Sequence, residues 1–250
     1  MSPAGTLAPP ALFLPGWGLG CGPLATVLEG SGWQLLDLPG IKRNPQGNLQ
    51  GNPQENPPAH FDSAVEALCA CLPPSCHLGG WSLGALLALA AAARAPERII
   101  SLTLVAATPS FVQRPAWPHG LSPAALQDFA ARVAKAGAGA LPRFIALFCQ
   151  GDHEARAAAR RLGQQASPPA QELLEAGLVW LGEADLREAV PHITCPVTLI
   201  HGEADPLMPL AAARWLQEQL PAARLQLLPG KAHAPFAPDP ALFLEQLPRP

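Results

Sequence analysis

The sequence predicts an α/β fold in which a mostly parallel sheet is flanked by helices, with a block of helices inserted between two strands. Three observations lead to this prediction. Short apolar runs typical of buried strands alternate with segments of helical periodicity in both halves of the chain. A Gly-x-Ser-x-Gly turn joins one of these strands to a helix. Strand signals are lacking between about residues 110 and 191.

The elements ahead of the insertion follow from apolar runs and the residues that end them. Pro15-Gly16 ends the first apolar run, and Pro39-Gly40 ends the second. The predicted elements are strands at 11–14, 33–38, 76–79 and 99–105, a helix at 61–72, and an alanine- and leucine-rich helix ending at Arg94. Successive strands joined through helices favour parallel pairing with right-handed crossovers.

The inserted block carries helix-start signals. Ser122-Pro123 and Ser167-Pro168 each resemble an N-cap followed by proline at the first helical position. Helices are predicted around residues 123–136, 140–150, 153–165 and 169–181, then strands at 196–201 and 224–228 with helices at 209–220 and 239–247. We therefore expect a helical lid at residues 110–191, on a core formed by residues 1–109 and 192–250.

Composition excludes several classes of protein. Of 250 residues, 49% are apolar and 14% charged, which argues against disorder, and a net charge of −3 argues against general nucleic-acid or membrane-surface binding. No apolar run is long enough to span a bilayer, and the first residues lack the pattern of a secretion signal. We expect a cytoplasmic monomer.

Neither the cysteines nor the glycines indicate a cofactor. The spacing of Cys69, Cys71, Cys76 and His77 matches no common zinc pattern, so buried reduced thiols are the simpler interpretation. The glycine-rich run at 16–22 lacks the third glycine of a dinucleotide fingerprint. We expect no metal and no cofactor. A nearly periodic Asn-Pro-Gln-Gly stretch beginning at residue 44 is expected to form a surface loop without chemistry.

Ser82 lies at the centre of Gly80-Trp81-Ser82-Leu83-Gly84, between a predicted strand and a predicted helix. Gly-x-Ser-x-Gly alone is common in turns, but in this context the glycines allow a sharp turn with the serine at its apex. The positive end of the helix dipole then favours the anion formed in acyl transfer. The pattern predicts Ser82 as a nucleophile.

A serine nucleophile needs a general base, and the base needs an orienting carboxylate. His233 follows the last predicted strand, and Asp205 follows the strand before it, with Glu203 as the alternative acid. Both side chains therefore fall at the carboxyl edge of the sheet, as does Ser82. Considered alone, Asp205 could simply cap a loop, and His233 could simply be a solvated side chain, with neither taking part in catalysis. The order Ser-Asp-His favours a catalytic triad instead.

An oxyanion hole needs two backbone N–H donors. Leu83, directly after the nucleophile, is expected to supply one of them. The loop after the first strand is expected to supply the other, through the N–H of Trp17.

Together these motifs resemble the α/β-hydrolase family, and within it the carboxylesterases that cleave the methyl ester of pimeloyl-acyl-carrier protein in biotin synthesis. The likeness spans residues 11–247 and is carried by Leu14-Pro-Gly-Trp-Gly-Leu19, Asp37-Leu-Pro-Gly40, the Ser82 turn, Pro96-Glu-Arg98 and Lys231-Ala-His-Ala-Pro-Phe236. The resemblance implies an α/β-hydrolase fold, a serine carboxylesterase with Ser82, Asp205 and His233 as its triad, and an acyl-carrier protein bearing a methyl-pimeloyl chain as partner.

The resemblance also implies that the lid forms an acyl channel. Substrate-binding residues are then Trp17, Ser82, Leu83, Phe144, Ile145, Ala146, Leu147, Phe148 and His233. Arg143, Arg156 and Arg160 match lid arginines that meet the carrier protein and its phosphopantetheine, whereas a further family arginine falls at Gly139. Residues 132–161 hold six basic and two acidic side chains, a local charge of +4, which a solvated basic face would also explain.

The chain departs from the family at three places. Pro15 replaces the usual histidine, few residues precede Leu12 so that we expect a smaller sheet, and the Asn-Pro-Gln-Gly stretch is an addition. None of these removes a reacting group.

Three other functions stay open at this point. A generalist carboxylesterase would not depend on a carrier protein. A lyase like the menaquinone-pathway member of this fold would use the same three residues to abstract a proton. A binding protein on this fold would hold a small ligand without turnover.

Overall fold

The computed structural model describes residues 8–40 and 57–249. The described strands are β1 (Ala11–Leu14), β2 (Trp33–Leu35), β3 (Cys76–Trp81), β4 (Ile99–Val105), β5 (Val197–Gly202) and β6 (Ala223–Leu228). They form one sheet in the order β2-β1-β3-β4-β5-β6, and every neighbouring pair is parallel. The carboxyl ends of the strands therefore meet at one edge. This confirms the predicted α/β class and parallel sheet.

Helices connect and cover these strands. In chain order they are α1 (Gly22–Leu28), α2 (Phe61–Cys71), α3 (Leu83–Arg94), α4 (Pro123–Ala136), α5 (Leu141–Phe148), α6 (Ala155–Gln165), α7 (Gln171–Glu183), α8 (Leu210–Gln219) and α9 (Pro240–Gln246). Short 3-10 helices occupy Pro96–Arg98, Gly137–Ala140 and Val190–His192. No helix in the described ranges is both long and apolar enough to cross a membrane.

Most elements differ from their predicted bounds by at most two residues, as does β3, which runs on to Trp81, whereas α1 and β2 differ more. Helix α1 was not predicted, because its seven residues are too few to display an apolar period and follow a run of glycines. Strand β2 ends at Leu35 rather than at 38, although Leu36 still donates its N–H to the carbonyl of Phe13. The Asn-Pro-Gln-Gly stretch lies mostly at 44–56, outside the described residues, and among those described no strand precedes β1.

Helix α3 lies at the centre of the core and begins directly after Ser82. All ten of its residues from 83 to 92 are buried, and it contacts β3, β4 and α2. Alanine at many of these positions lets the helix approach neighbours on several sides. Its charged side chain, Arg94, lies at the C-terminal end of the helix and pairs with Glu66. The Ser82 turn therefore leads into a fully packed helix.

Helices α4 to α7 lie between β4 and β5 along the chain. The segment that contains them begins and ends at neighbouring points of the molecule. Arg114 donates to the carbonyls of Gly182 and Glu183 at the end of α7, both at 2.8 Å, and the N–H of Leu186 donates to the carbonyl of Pro109 at 2.8 Å. These contacts tie the outgoing and returning chains together.

Candidate active site

Ser82 adopts a backbone conformation that few non-glycine residues adopt, with φ +57° and ψ −116°. Such a conformation costs on the order of 1–3 kcal/mol and persists where the surroundings fix it. A Cβ on Gly80 would lie 2.3 Å from the carbonyl of Gly84, and a Cβ on Gly84 would lie 2.5 Å from the carbonyl oxygens of Leu14 and Pro15. Both glycines are therefore required for the close approach of chains around the serine.

Ser82, His233 and Asp205 are joined in one hydrogen-bonded series. His233 Nε2 lies 2.9 Å from Ser82 Oγ, and His233 Nδ1 lies 2.8 Å from Asp205 Oδ2. Because an ionised carboxylate only accepts, Nδ1 carries the proton and donates to Asp205, which leaves Nε2 free to accept from the Ser82 hydroxyl. Residues separated by 151 and 28 positions in the chain thus meet at one edge of the sheet.

The Asp205 carboxylate is held by backbone as well as by histidine. Its Oδ1 accepts from the N–H groups of Leu207 and Met208, each at 2.9 Å. Burial alone would raise the pKa of Asp205, but the charge and hydrogen bond of His233, the nearby His201 and the Met208 N–H keep that pKa below its usual 3.8. Asp205 therefore stays ionised beside the imidazole.

His201 lies behind this carboxylate and is almost fully buried. Its Nε2 donates to the carbonyl of Met208 at 2.8 Å and lies 3.9 Å from Asp205 Oδ2. Burial lowers the pKa of His201 below 6.5, against the opposing attraction of Asp205. The side chain is thus neutral at pH 7 and holds the loop that carries Asp205.

Aromatic side chains surround the imidazole of His233. The ring of Trp81 lies 5.7 Å from it, and the ring of Phe148 from α5 lies 5.5 Å from it, centroid to centroid. Phe148 in turn contacts Phe144 at 5.1 Å. His233 is 1% exposed, whereas Ser82 keeps 8% of its surface exposed, so the serine is the more accessible of the two residues.

The predicted oxyanion residues lie on either side of the Ser82 turn. A Cβ on Gly16 would lie 2.7 Å from the Trp81 ring, so the loop before Trp17 runs directly over the residue next to Ser82. Trp17 Nε1 donates to the carbonyl of Leu174 on α7 at 2.9 Å. The side chains of Trp17 and Leu83 both reach Gly177. Their roles as oxyanion donors stay a prediction.

A cavity of about 610 Å³ lies among α4, α5 and α7. Its apolar wall includes Trp17, Phe111, Phe129, Phe144, Leu178 and Leu207. Ser82 and His233 do not line it, but Trp17 belongs to the loop above Ser82, and Leu207 donates its N–H to Asp205. Its volume suits a small-molecule site.

The predicted substrate-binding residues of α5 divide into two sets. Phe144, Ala146 and Leu147 line the cavity. Ile145 and Phe148 are buried, and Phe148 faces the imidazole of His233 instead of the cavity. This division follows from helical periodicity, since five consecutive residues cannot share one face.

The predicted basic residues also divide. Arg143 lines the cavity, whereas Arg156 and Arg160 are exposed on α6 and do not. Arg132 and Lys135 on α4 line it too, and these were not predicted as site residues, although the local charge count had included them. Glu203, the alternative acid, is exposed, and Asp205 takes the contact with His233.

A parallel sheet with Ser-His-Asp in hydrogen-bonded series at its carboxyl edge is characteristic of a hydrolase of the α/β type. Comparison with known proteins agrees. A model described as the alpha/beta hydrolase family matches residues 11–246. The chain belongs to this family.

Its curated relatives include esterases of similar length. The pimeloyl-acyl-carrier-protein methyl ester esterase of Nitrosomonas europaea is 35% identical over 94% of this chain and 93% of its own. The protein of the same name from Aeromonas hydrophila is 36% identical over 95% of this chain and 93% of its own.

Solved structures share the fold at lower identity. A thermophilic esterase from Thermogutta terrifontis superposes with a TM-score of 0.75 at 20% identity, covering 95% of this chain and 87% of its own. MenH from S. aureus superposes with a TM-score of 0.74 at 18% identity, covering 97% of this chain and 93% of its own.

Proposed function

We propose that this protein is a serine carboxylesterase that hydrolyses the methyl ester of pimeloyl-acyl-carrier protein in biotin synthesis. The observation that carries the proposal is the series Ser82–His233–Asp205 beside an apolar cavity bearing three basic side chains. The names of relatives at 35–36% identity supply the substrate. We propose that it acts as a monomer in the cytoplasm.

The reaction follows from the hydrogen bonds of the site. Ser82 Oγ attacks the ester carbonyl while His233 Nε2 takes the hydroxyl proton. The imidazolium, stabilised by Asp205, returns that proton to the departing methoxide, so that methanol leaves and an acyl-enzyme remains. Water then attacks the acyl carbon with His233 as base. The acid is released, and Ser82 regains its proton.

The oxyanion of each tetrahedral intermediate needs donors already in place. We assign this role to the N–H groups of Trp17 and Leu83, whose segments flank the Ser82 turn. Each such donor stabilises the transition state by about 2.7–4 kcal/mol.

Residues 110–191, which contain the inserted helices, form a lid, and the acyl chain of the substrate binds in a channel within it. An apolar wall suits a seven-carbon acyl chain, with Phe144 as the best single contact. Arg132, Lys135 and Arg143 suit the phosphate of the carrier's prosthetic group, because they line the same cavity. Arg156 and Arg160, exposed on α6, suit the acidic surface of the carrier protein itself.

Carrier-dependent turnover tests this proposal. Methyl pimeloyl-carrier protein and free monomethyl pimelate are compared as substrates by release of methanol, with Ser82→Ala as the inactive reference. We expect a much higher kcat/KM for the carrier-bound ester, falling as salt screens the basic residues. Equal kcat/KM values at all salt concentrations would instead identify a generalist esterase.

Two paired variants separate the basic sets. One double variant combines Arg132→Gln with Lys135→Gln, and the other combines Arg156→Gln with Arg160→Gln. Each should raise KM for the carrier-bound ester and leave turnover of a neutral p-nitrophenyl ester unchanged.

The alternative functions predict other results. A protein that hydrolyses no ester but eliminates an acid from a menaquinone precursor would be the lyase. Failure of Ser82 to react with a fluorophosphonate would indicate a binding protein.

A further inference from the structure

The connection between α5 and α6, residues 149–154, crosses the two loops that carry the acid and the base. The N–H of His153 donates to the carbonyl of Gly230 at 2.9 Å, and the N–H of His233 itself points to the carbonyl of Phe148 at 3.4 Å. Gly151, at φ +89°, approaches Ala204 so closely that a Cβ would lie 3.0 Å from that residue's carbonyl oxygen. The connection is therefore packed against both loops.

Asp152 links this connection to the His233 loop through its side chain. It is 8% exposed, and its two carboxylate oxygens both accept from backbone N–H groups. Oδ1 accepts from Glu154 at 2.8 Å, which closes a local turn. Oδ2 accepts at 3.0 Å from Ala232, the residue immediately before His233, 80 positions along the chain. A carboxylate is a stronger acceptor than a neutral oxygen, so the peptide next to the base is firmly held.

We propose that Asp152 is a positioning residue for His233. By fixing the N–H of Ala232 it sets the direction in which the imidazole leaves the backbone, and hence the 2.9 Å contact between Nε2 and Ser82 Oγ. Because Asp152 follows α5, it also ties the base to the helix whose Phe144 lines the cavity. This inference rests on the proposed esterase function, since it assigns His233 the role of base.

The rate of an enzymatic reaction depends strongly on the positions of the catalytic groups, so a contact that fixes the backbone next to His233 can affect the rate. Displacing a catalytic group by about 1 Å can cost roughly 100-fold in rate. A residue that only caps a turn would change stability and leave the rate per folded molecule intact. These two roles therefore predict different results.

The experiment compares Asp152→Ala, Asp152→Asn and the control Asp239→Ala. Asp239 likewise accepts a backbone N–H, that of Leu242 at 3.0 Å, but it caps α9. We measure kcat and KM on a short p-nitrophenyl ester, Tm, and the downfield proton NMR signal of His233 Nδ1–H. We expect Asp152→Ala to lower kcat about 10- to 100-fold with KM within about twofold, and to weaken the signal. Asp152→Asn, which keeps one acceptor oxygen, should give an intermediate kcat.

The control should keep the kcat and the proton signal of the unmodified protein, even if its Tm falls. The proposal is overturned if Asp152→Ala lowers Tm alone. If that variant does not fold, Asp152→Ser decides: its short hydroxyl can still close the turn with the Glu154 N–H but leaves no second oxygen for the Ala232 N–H, so an unchanged kcat and signal would refute positioning. An enzyme that cleaves the p-nitrophenyl ester but not methyl pimeloyl-carrier protein would refute the proposed substrate and leave this test valid.

Discussion

The indole of Trp81 donates its Nε1–H to the backbone carbonyl of His233 at 2.8 Å. The donor is the residue before Ser82, and the acceptor belongs to the proposed base. Both side chains are almost fully buried, and their rings lie 5.7 Å apart. The end of the strand before Ser82 therefore also holds the backbone of His233. Trp81 binds the carbonyl of His233, and Asp152 binds the N–H of the preceding residue, Ala232.

Replacing Trp81 by phenylalanine should affect both stability and turnover. The substitution keeps an aromatic ring but leaves a buried carbonyl without its donor, which costs about 1–3 kcal/mol of unfolding free energy. We expect kcat on a short ester to fall as well, because the backbone of His233 loses an anchor, while KM changes little. Urea unfolding and steady-state kinetics measure the two effects.

Trp117→Phe is the matched control for this substitution. Trp117 is equally buried, and its Nε1 donates to the carbonyl of Ser110 at 3.0 Å, with no contact to the three triad residues among the described interactions. Because the Ser110 carbonyl also accepts from Thr108 Oγ1 at 2.8 Å, this variant should lose less stability than Trp81→Phe, and it should keep its kcat. An equal fall of kcat in both variants would mean that the Trp81 contact has no particular role in holding the base.

Asp205→Asn should nearly abolish turnover and preserve the fold. An asparagine oxygen can still accept from Leu207 and Met208, but its amide group would face His233 Nδ1 and favour the wrong tautomer. In serine proteases the corresponding change lowers kcat by about 10⁴-fold, and we expect a loss of that order. Glu203→Gln, on the same loop but exposed, should be fully active. The reverse pattern would make Glu203 the acid.

Burial of neutral His201 should make stability depend on pH. Its pKa in the folded protein is below the 6.5 of the unfolded chain, so the unfolded state binds a proton that the folded state does not. The stabilisation that this difference in pKa gives the folded state is complete above pH 6.5. As the pH falls below that value, the free energy of unfolding decreases by at most about 1.4 kcal/mol per pH unit. The unfolding free energy should therefore decrease from pH 7 to pH 5.

His201→Gln isolates that contribution. Glutamine can still donate to the carbonyl of Met208 but does not titrate, and the other histidines are common to both proteins. Its unfolding free energy should fall less steeply over the same pH range, as followed by urea unfolding at each pH. Parallel curves for the two proteins would show that His201 is not the group responsible.

Local signals allowed much of this fold to be predicted from sequence. Strands β1 and β4 have the predicted bounds because β1 is a continuous apolar run and β4 is rich in isoleucine, leucine and valine, with only Ser101 and Thr103 between them. Helix α4 also begins as predicted, since Ser122 accepts from the N–H of Ala125 at 3.2 Å and Pro123 occupies the first turn. The meeting of Ser82, Asp205 and His233 could be predicted because parallel strands bring their carboxyl ends to one edge.

Other features depend on how the inserted helices pack onto the core. Arg132 and Lys135 line the cavity with Arg143, although they belong to another helix. Asp152 meets Ala232 only because the α5–α6 connection lies across the His233 loop. Neither relationship has a period or motif in the sequence, since both arise from tertiary packing between distant segments.

Gly177→Ala should disturb the site from a distance, through Trp17. A Cβ at this position in α7 would lie 2.6 Å from Trp17 Cδ1, and the indole cannot easily retreat, because Phe129 and Phe144 lie 5.3 and 5.2 Å from it and Leu174 binds its Nε1. We expect the loop that carries the Trp17 N–H to shift and kcat to fall about 10-fold or more.

Gly163→Ala provides the comparison, because it adds the same methyl group to an inserted helix where nothing lies within 4 Å. Alanine is the better helix former by about 1 kcal/mol, so Gly163→Ala should be slightly more stable and fully active. Helix propensity favours Gly177→Ala equally, so any loss of activity there must come from the contacts of the added Cβ, of which the one with Trp17 at 2.6 Å is much closer than the one with Leu83 at 3.4 Å. If the two variants have the same kcat, the position of Trp17 does not control the reaction, and the second oxyanion donor must be sought elsewhere in the loop after β1.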